Sequence, residues 1–214
     1  EGNFAAIASH HFDYFVSTRF KGAIDEVKIY CRALTNKEIL EDYKKIDPVV
    51  YDDCAPVEFE LEDVINTDIN YIEQAKVIND YIRLSRAAGW KSGAIWYRHL
   101  VPVSNGFETT FSFKITDGFR ANPNEYSEAG GDGIVFVIQN ESDSIIGGEE
   151  CLLGYTGIPY SLAIEIDMYR NKDLNDPDGN HIAVQTNSKK PNTTKHGLKT
   201  TLGIASDIPI IKSD

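Results

Sequence analysis

The stretch "EIDMYRNKDLNDPDGNH", residues 165–181, joins the end of an apolar strand pattern to a loop rich in oxygen donors. It contains five side-chain carboxylates, three asparagines, one histidine and a single glycine. Side chains two residues apart in a strand point to the same side, so Glu165, Asp167 and Tyr169 share one face. The stretch therefore predicts a β-strand with an apolar face and an acidic face, followed by a polar loop.

The acids in this stretch need a compensating charge. Two carboxylates this close on one sheet face repel each other and lose hydration on burial, unless they are protonated or bridged by a cation. The loop can fold back toward the strand, with Pro177 and Gly179 at its reversal. Asn171, Asp176 and His181 would then reach the same region. The sequence predicts a cation site formed by the strand and its loop.

The donor atoms divide into two sets by hardness. One set combines carboxylates with an imidazole and suits Mn²⁺ or another divalent transition ion. Its members are Glu165, Asp167, Asp176 and His181. The other set contains only oxygen donors and suits Ca²⁺. It consists of Asp167, Asp176, the Asn171 side chain and the Tyr169 carbonyl. We expect Asp167 and Asp176 to bridge the two ions.

Strand patterns dominate the chain beyond residue 78. β-Branched and aromatic segments are separated by clusters of Gly, Asn, Asp and Pro, a spacing that is typical of an antiparallel β-sandwich. The segments are "YIRLS", "GAIWYRHLVPV", "GFETTFSFKIT", "DGIVFVIQN", "SLAIEIDMY", "HIAVQTN" and "TTLGIAS". In the third, Phe107, Phe111 and Phe113 alternate with polar residues. The run "GIVFVI" is apolar on both faces, which predicts a central strand between two layers.

Composition and charge exclude several classes of partner. With 214 residues, of which 42% are hydrophobic, the chain can bury a substantial core. Its net charge of −12 argues against nucleic acid as a partner, because no basic surface is available to neutralise phosphates. Since no apolar run approaches the ~20 residues that span a bilayer, we expect no membrane insertion.

The order and spacing of these segments resemble the first part of an L-type lectin domain, the legume-lectin-like jelly roll, and above all its bacterial secreted branch. The segments that carry the resemblance are "GAIWY", "GFETTFSFKIT", "GGDGIVFVIQN", "GYTGIPYSLAIEIDMYRN" and "DPDGNHIAVQTN". The resemblance implies an all-β, antiparallel, concanavalin A-like jelly-roll sandwich. It also implies binding of glycans or polysaccharides with Ca²⁺ and Mn²⁺ or another divalent transition ion. The predicted metal ligands match the paired metal site of that family position by position.

The beginning of the chain has a different pattern. "FKGAIDEVKIYCRALTNKEI" resembles the last strand and closing helix of a laminin-G-like jelly roll, and Thr35 with Glu38 forms a capping box that predicts a short helix near residues 35–45. Two prolines and an acidic pair then indicate a linker. We expect a laminin-G-like piece at residues 1–46, a linker at 47–56 and an incomplete lectin-like domain at 57–214 of a longer chain. Alternatively, residues 1–46 supply strands to the same sandwich.

A sugar site needs groups that donate and accept hydrogen bonds, together with an aromatic plane for the C–H face of the ring. The resemblance assigns these roles to Asp132, Gly148, Tyr169 and Asn171. It implies a cis peptide bond between Gly131 and Asp132, and a backbone N–H donated by Gly148. Asn171 would bind both calcium and sugar, and the Tyr169 ring would face the sugar. A plain hairpin turn at residues 147–148 stays open as an alternative.

Two other functions are compatible with the same fold. Jelly-roll glycoside hydrolases of the β-glucanase type carry a second catalytic acid two or three residues after the Asp, and here those positions hold Tyr169 and Arg170. A metal-stabilised structural adhesion module would keep the cation ligands without needing Asp132. We expect no catalytic residues and no enzymatic activity. The predicted role is calcium-dependent carbohydrate binding, in a secreted or cell-surface protein of the kind that serves cell adhesion.

Overall fold

The computed structural model describes residues 4–11, 37, 68–79, 81–86, 88, 91–101, 103, 107, 109, 111–115, 132–148, 150–197 and 199–208. Within these residues lie nine strands: β1 Phe4–His11, β2 Ile69–Glu73, β3 Lys76–Ile78, β4 Tyr81–Arg83, β5 Lys91–Tyr97, β6 Gly133–Gln139, β7 Ser161–Asp167, β8 His181–Thr186 and β9 Thr201–Ala205. Two short 3-10 helices, Glu150–Leu152 and Lys172–Leu174, accompany them.

The described strands form two antiparallel sheets. The larger sheet has the order β2-β5-β1-β6-β7-β8-β9, and β3 pairs with β4 in a separate hairpin. Each described pairing is antiparallel. The predicted all-β, antiparallel class is therefore confirmed.

Strand β1 comes from the amino-terminal part of the chain and lies inside the large sheet. It pairs with β5 on one side and with β6 on the other, so that Ile7 is opposite both Ile95 and Phe136. Residues 4–11 thus contribute a strand to the same sheet, as the alternative for residues 1–46 expects. The domain boundaries stay predictions, and the predicted strand at 22–30 lies outside the described residues. Of the predicted helix at 35–45, only Lys37 is described, and it is helical.

Strands β4 to β9 coincide with six of the predicted segments, whereas β1, β2 and β3 were not predicted as strands. The segment 106–116 differs from its prediction, because its described residues form only an isolated bridge at Phe113. Its alternation is nevertheless present: Phe111 and Phe113 are half-buried, while Ser112 and Lys114 are exposed.

Strand β6 is covered on both faces, as its apolar sequence predicts. All seven of its residues are buried. On one face, Val135 and Val137 pack in a cluster with Trp96, Leu153, Tyr155, Ile158 and Ala163. On the other face, the ring of Phe136 stacks with Phe107 and Phe111 at centroid distances of 6.3 and 5.7 Å. This strand is the centre of the described core, and the strand that pairs with it, β7, carries the acids.

The amino-terminal end of β6 approaches β7 very closely. Gly133 is opposite Asp167. A Cβ atom at Gly133 would lie 2.4 Å from the carbonyl oxygen of Ile166, so only glycine fits without a shift of the backbone. One residue earlier, the carbonyl of Asp132 accepts a hydrogen bond from the N–H of Met168 at 2.7 Å. This contact sets Asp132 beside the acidic end of β7.

Candidate metal centre

The acidic face of β7 is buried, although alternation alone leaves its exposure open. Glu165 is 0% exposed and Asp167 is 3% exposed. His181 begins β8 directly opposite Asp167 and is also 0% exposed. Asp176, from the intervening loop, is 6% exposed. Antiparallel pairing of β7 with β8 thus places the start and the end of the opening stretch side by side.

The predicted ligands of the transition ion converge in space. Ligand atoms of Asp167, Asp176 and His181 lie within 4.8 Å of one another. Ligand atoms of Glu165, His181 and His196 form a second group with the same spread. Because His181 belongs to both groups, the buried carboxylates and imidazoles surround one small region.

The loop after β7 is shaped by contacts to the same acids. The backbone N–H of Tyr169 donates to Asp167 Oδ1 at 2.8 Å, and that of Asn171 donates to Asp176 Oδ2 at 2.6 Å. The 3-10 helix Lys172–Leu174 then ends at Asn175, whose φ of 63° is left-handed. The backbone N–H groups of Tyr169 and Asn171 therefore hold the two acids that are predicted to bridge the ions.

Burial dominates the electrostatics of the acids. It raises the pKa of Glu165 to about 8, a shift that the Asp176 charge increases and the hydroxyl of Tyr155 opposes. It also raises the pKa of Asp167 well above its ordinary value and that of Asp176 to about 6. Burial thus disfavours the charged form of all three carboxyls.

The histidines are prepared to be neutral ligands. Burial lowers the pKa of His181, and it lowers the pKa of His196 to about 4. Nδ1 of His181 lies 3.2 Å from the carbonyl oxygen of Asp178, which can only accept, so Nδ1 carries the proton. The lone pair of His181 is then on Nε2, which lies 3.2 Å from Nε2 of His196. A ring N–H that donates to a backbone carbonyl is the usual arrangement for a metal-binding histidine.

Two buried acceptors show that the centre fits a cation. Glu165 Oε2 and Asn171 Oδ1 are both buried and have no hydrogen-bond partner among the described residues. Unpaired buried acceptors are rare in proteins and cost about 1–3 kcal/mol each. Two cations bound between the strand and the loop, one at each atom, would satisfy them.

Three of the predicted sugar-binding residues lie at the acidic end of β7. Asp132 is 1% exposed, and its charge contributes to the raised pKa values of Asp167 and Asp176. Tyr169 and Asn171 are half-buried at the same end of β7. The peptide bond before Asp132 involves Gly131, which lies outside the described residues, so its predicted cis geometry stays a prediction.

Gly148 lies in the loop that follows β6, next to the segment that carries Tyr155. Its N–H donates to the carbonyl of Thr156 at 2.8 Å, and its carbonyl accepts from Gly154 at 3.0 Å. The donor assigned to sugar binding is thus engaged within the protein. The tight loop formed by these bonds agrees with the alternative of a turn at residues 147–148.

Two residues of the centre were missed by the sequence analysis. Tyr155 is 0% exposed, and its hydroxyl donates to Glu165 Oε1 and lies 3.0 Å from the carbonyl oxygen of Thr193. His196, in "TTKHG", reaches the centre from the loop between β8 and β9. Its sequence context has no strand pattern, and the only available signal is that histidine is the commonest metal ligand.

These features define a class of protein: an antiparallel β-sheet protein with a buried centre of carboxylates and imidazoles where a strand meets its loop. The chain belongs to the legume lectin domain family, whose model matches residues 57–210. Membership of this family implies carbohydrate binding and an all-β jelly-roll fold.

Proteins of similar sequence occur in Arabidopsis thaliana. Lectin-like protein At3g16530 is 38% identical over 89 residues, which cover 38% of this chain and 30% of the relative. A probable L-type lectin-domain containing receptor kinase S.7 is 28% identical over 149 residues, which cover 61% of this chain and 21% of the relative. Matches therefore extend over less than a third of the length of either relative. No solved structure was found to match.

No helix in the described part of the chain is both long enough and apolar enough to cross a membrane.

Proposed function

We propose that this chain binds glycans in a calcium-dependent, non-catalytic manner, as the lectin segment of a larger secreted or cell-surface protein. The observation that carries the proposal is the convergence of Glu165, Asp167, Asp176 and His181 in one buried region at the end of β7. Membership of the legume lectin domain family supports it. The name of the receptor-kinase relative supports a surface location.

The proposed transition-ion ligands are Glu165, Asp167, Asp176 and His181, and the ion is Mn²⁺ or another divalent transition ion. The proposed Ca²⁺ ligands are Asp167, Asp176, Asn171 and the Tyr169 carbonyl. When bound, the cations supply the positive charge that lets buried acids remain ionised. Fixing the acids also fixes the loop, because Tyr169 and Asn171 are bonded to Asp167 and Asp176 through their backbone N–H groups.

The proposed glycan contacts are beside the calcium position. Asp132 would accept hydrogen bonds from sugar hydroxyls, while Asn171 would offer its amide and Tyr169 its ring. The contact between the Asp132 carbonyl and the Met168 N–H supports this assignment, because it ties Asp132 to the same end of β7. Gly148 is retained as a proposed N–H donor, on the condition that its bond to Thr156 exchanges when sugar binds.

A glycoside hydrolase of the β-glucanase type is disfavoured by the position of Glu165. A catalytic carboxylate has to reach the scissile bond, and a second acid has to lie about 5–10 Å away across that bond. Glu165 is bonded to Tyr155 and lies among the proposed cation ligands, whereas Tyr169 and Arg170 stand where the second acid is needed. A purely structural adhesion module has no use for an acid beside the calcium position, and Asp132 lies there.

Three Asp→Asn variants, measured on a glycan array and in thermal melts with Ca²⁺ and Mn²⁺, test the proposal. Asp132→Asn should lose glycan binding and melt like the wild type. Asp167→Asn should lose glycan binding and also melt lower, because the cation no longer stabilises the fold. Asp173→Asn alters an exposed acid of the same loop and should match the wild type in both assays.

The array also separates the three functions. A structural adhesion module would show no glycan binding with or without cations, and a hydrolase would release sugar product. If the Asp132 and Asp167 variants melt alike, the proposed division of roles is wrong. The array should use the full-length parent protein. The neighbouring domains, the laminin-G-like piece and the resemblance to the bacterial branch of the family stay predictions.

A further inference from the structure

His196 lies outside the set of predicted ligands, yet the fold holds it firmly against the metal centre. Its N–H donates to the carbonyl of Leu174 at 2.8 Å, and its carbonyl accepts from Asn175 Nδ2 at 3.2 Å. Its side chain is only 5% exposed. Both backbone contacts are to the loop that carries Asp176. The loop between β8 and β9 is thus attached to the loop between β7 and β8.

The Nε2 atom of His196 faces three other donor atoms. It lies 3.2 Å from His181 Nε2, 3.5 Å from Asp176 Oδ1 and 3.6 Å from Glu165 Oε2. When two nitrogens bind the same zinc ion at about 2.0–2.1 Å in tetrahedral coordination, the distance between the two nitrogens is roughly 3.3 Å. The distance between the two imidazole nitrogens is close to this value.

A hydrogen bond between the two imidazoles does not account for the whole arrangement. In such a bond His196 Nε2 would donate to the lone pair of His181 Nε2. Glu165 Oε2, which is buried and lies 3.6 Å from the same His196 Nε2, would then stay without a hydrogen-bond partner among the described residues. A cation contacted by both Nε2 atoms and by Glu165 Oε2 satisfies this carboxylate oxygen.

We propose that His196 is a ligand of the transition ion, together with His181 and Glu165, and that this increases the preference of the centre for Zn²⁺ over Mn²⁺. Imidazole nitrogen is a softer donor than carboxylate oxygen, and ligand sets with more imidazole favour zinc over manganese. The inference rests on the proposed function for the existence of a cation at this position, and it changes which cation binds there.

The test uses Zn²⁺ and Mn²⁺ alone as probes of the full chain, with Ca²⁺ present. His196→Gln should weaken Zn²⁺ binding by about tenfold or more, at least the loss that follows removal of an outer-shell partner. Binding of Mn²⁺ should change much less. His99→Gln removes an exposed histidine, paired with Asp68, and should leave both affinities unchanged.

X-ray absorption at the zinc edge provides a readout that does not depend on the folding of a variant. The wild-type zinc centre should show two imidazoles, and that of His196→Gln should show one. A single imidazole in the wild type, or equal Zn²⁺ affinities of the two proteins, would overturn the inference.

The failure of this inference can be distinguished from failure of the proposed function. If the chain binds glycans with Ca²⁺ and Mn²⁺ but its zinc centre has one imidazole, only the role of His196 is wrong. If no divalent ion binds at all, both proposals fall. If zinc binds through two imidazoles but glycan never binds, the ligand assignment holds and the lectin function does not.

Discussion

At the scale of single residues, Glu165 is an acid that is completely buried, although burial disfavours the ionised form of its carboxyl group. It is 0% exposed and faces Asp176 and Tyr155, and its pKa is raised to about 8. A buried acid of this kind destabilises a fold unless hydrogen-bond donors or a positive charge compensate it. Its retention in a β-strand is therefore best explained by the cation that we propose.

This burial predicts how the stability of chelated protein depends on pH. Folded Glu165 keeps a proton that the unfolded chain releases above about 4.5, so stability falls as pH rises toward 8. Asp167, whose pKa is also raised, acts in the same direction. The lowered pKa values of the two histidines act in the opposite direction, but only below about 6.5. Between pH 6.5 and 8 the acids alone determine the sign.

The measurement is urea unfolding of the chelated protein at pH 6.5, 7.2 and 8. The free energy of unfolding should decrease along this series in the wild type and decrease much less in Glu165→Gln, which has no proton to lose there. A wild-type stability that is constant or rises over this interval would show that Glu165 ionises freely in the folded state.

Sequence analysis failed most clearly for two residues of the metal centre. Glu165, Asp167 and His181 were found because strand alternation and local spacing bring them together. His196 and Tyr155 were not found, because their approach depends on contacts between separate loops. The contact from the His196 N–H to Leu174 joins residues 22 positions apart, and no local pattern in "TTKHG" encodes it.

At the scale of elements, the decisive feature is the close approach of β6 and β7 at Gly133. The neighbouring Asp132 is held beside Asp167 only if the two strands keep this separation. The sequence predicted β6 and β7 well, because their apolar runs are bounded by turn residues. It missed β1, β2 and β3, and the last two have only five and three residues, too few to show a clear period.

Substitution of Gly133 tests this coupling between packing and site. Gly133→Ala should lower the melting temperature and weaken divalent-ion binding, because the new Cβ would lie 2.4 Å from the Ile166 carbonyl oxygen and push the strands apart. Gly203→Ala is the matched control in β9, where a Cβ meets nothing within 4 Å. Its melting temperature and ion affinity should remain those of the wild type. Equal effects of the two substitutions would contradict the proposed coupling.

At the scale of the whole molecule, the chain joins strands from distant parts of the sequence around one core. The strand order places β1 between β5 and β6, although 57 residues separate β1 from β2 in the sequence. Such pairing cannot be predicted from local patterns, whereas the all-β class can. The family match at residues 57–210 supports the lectin assignment for most of the chain and leaves the amino-terminal assignment as a prediction.

Cation binding should stabilise the whole molecule, because both the loop and the end of the sheet depend on the centre. A ligand present at 100 times its Kd stabilises a fold by about 2.7 kcal/mol. Removal of Ca²⁺ and Mn²⁺ by a chelator should therefore lower the melting temperature by several degrees, and restoring both ions should reverse the change. An identical melt with and without chelator would mean that the centre binds no cation in solution.

The central claim is that divalent cations occupy the region between β7 and its loop and give the glycan site its shape. Anomalous diffraction from crystals grown with Ca²⁺ and Mn²⁺ measures this directly. The claim predicts two peaks, each at roughly 2.0–2.6 Å from its ligand atoms, one near Glu165 and His181 and the other near Asn171, with Asp167 and Asp176 shared between them. Density for water alone among these acids would contradict the claim and remove the basis of the proposed function.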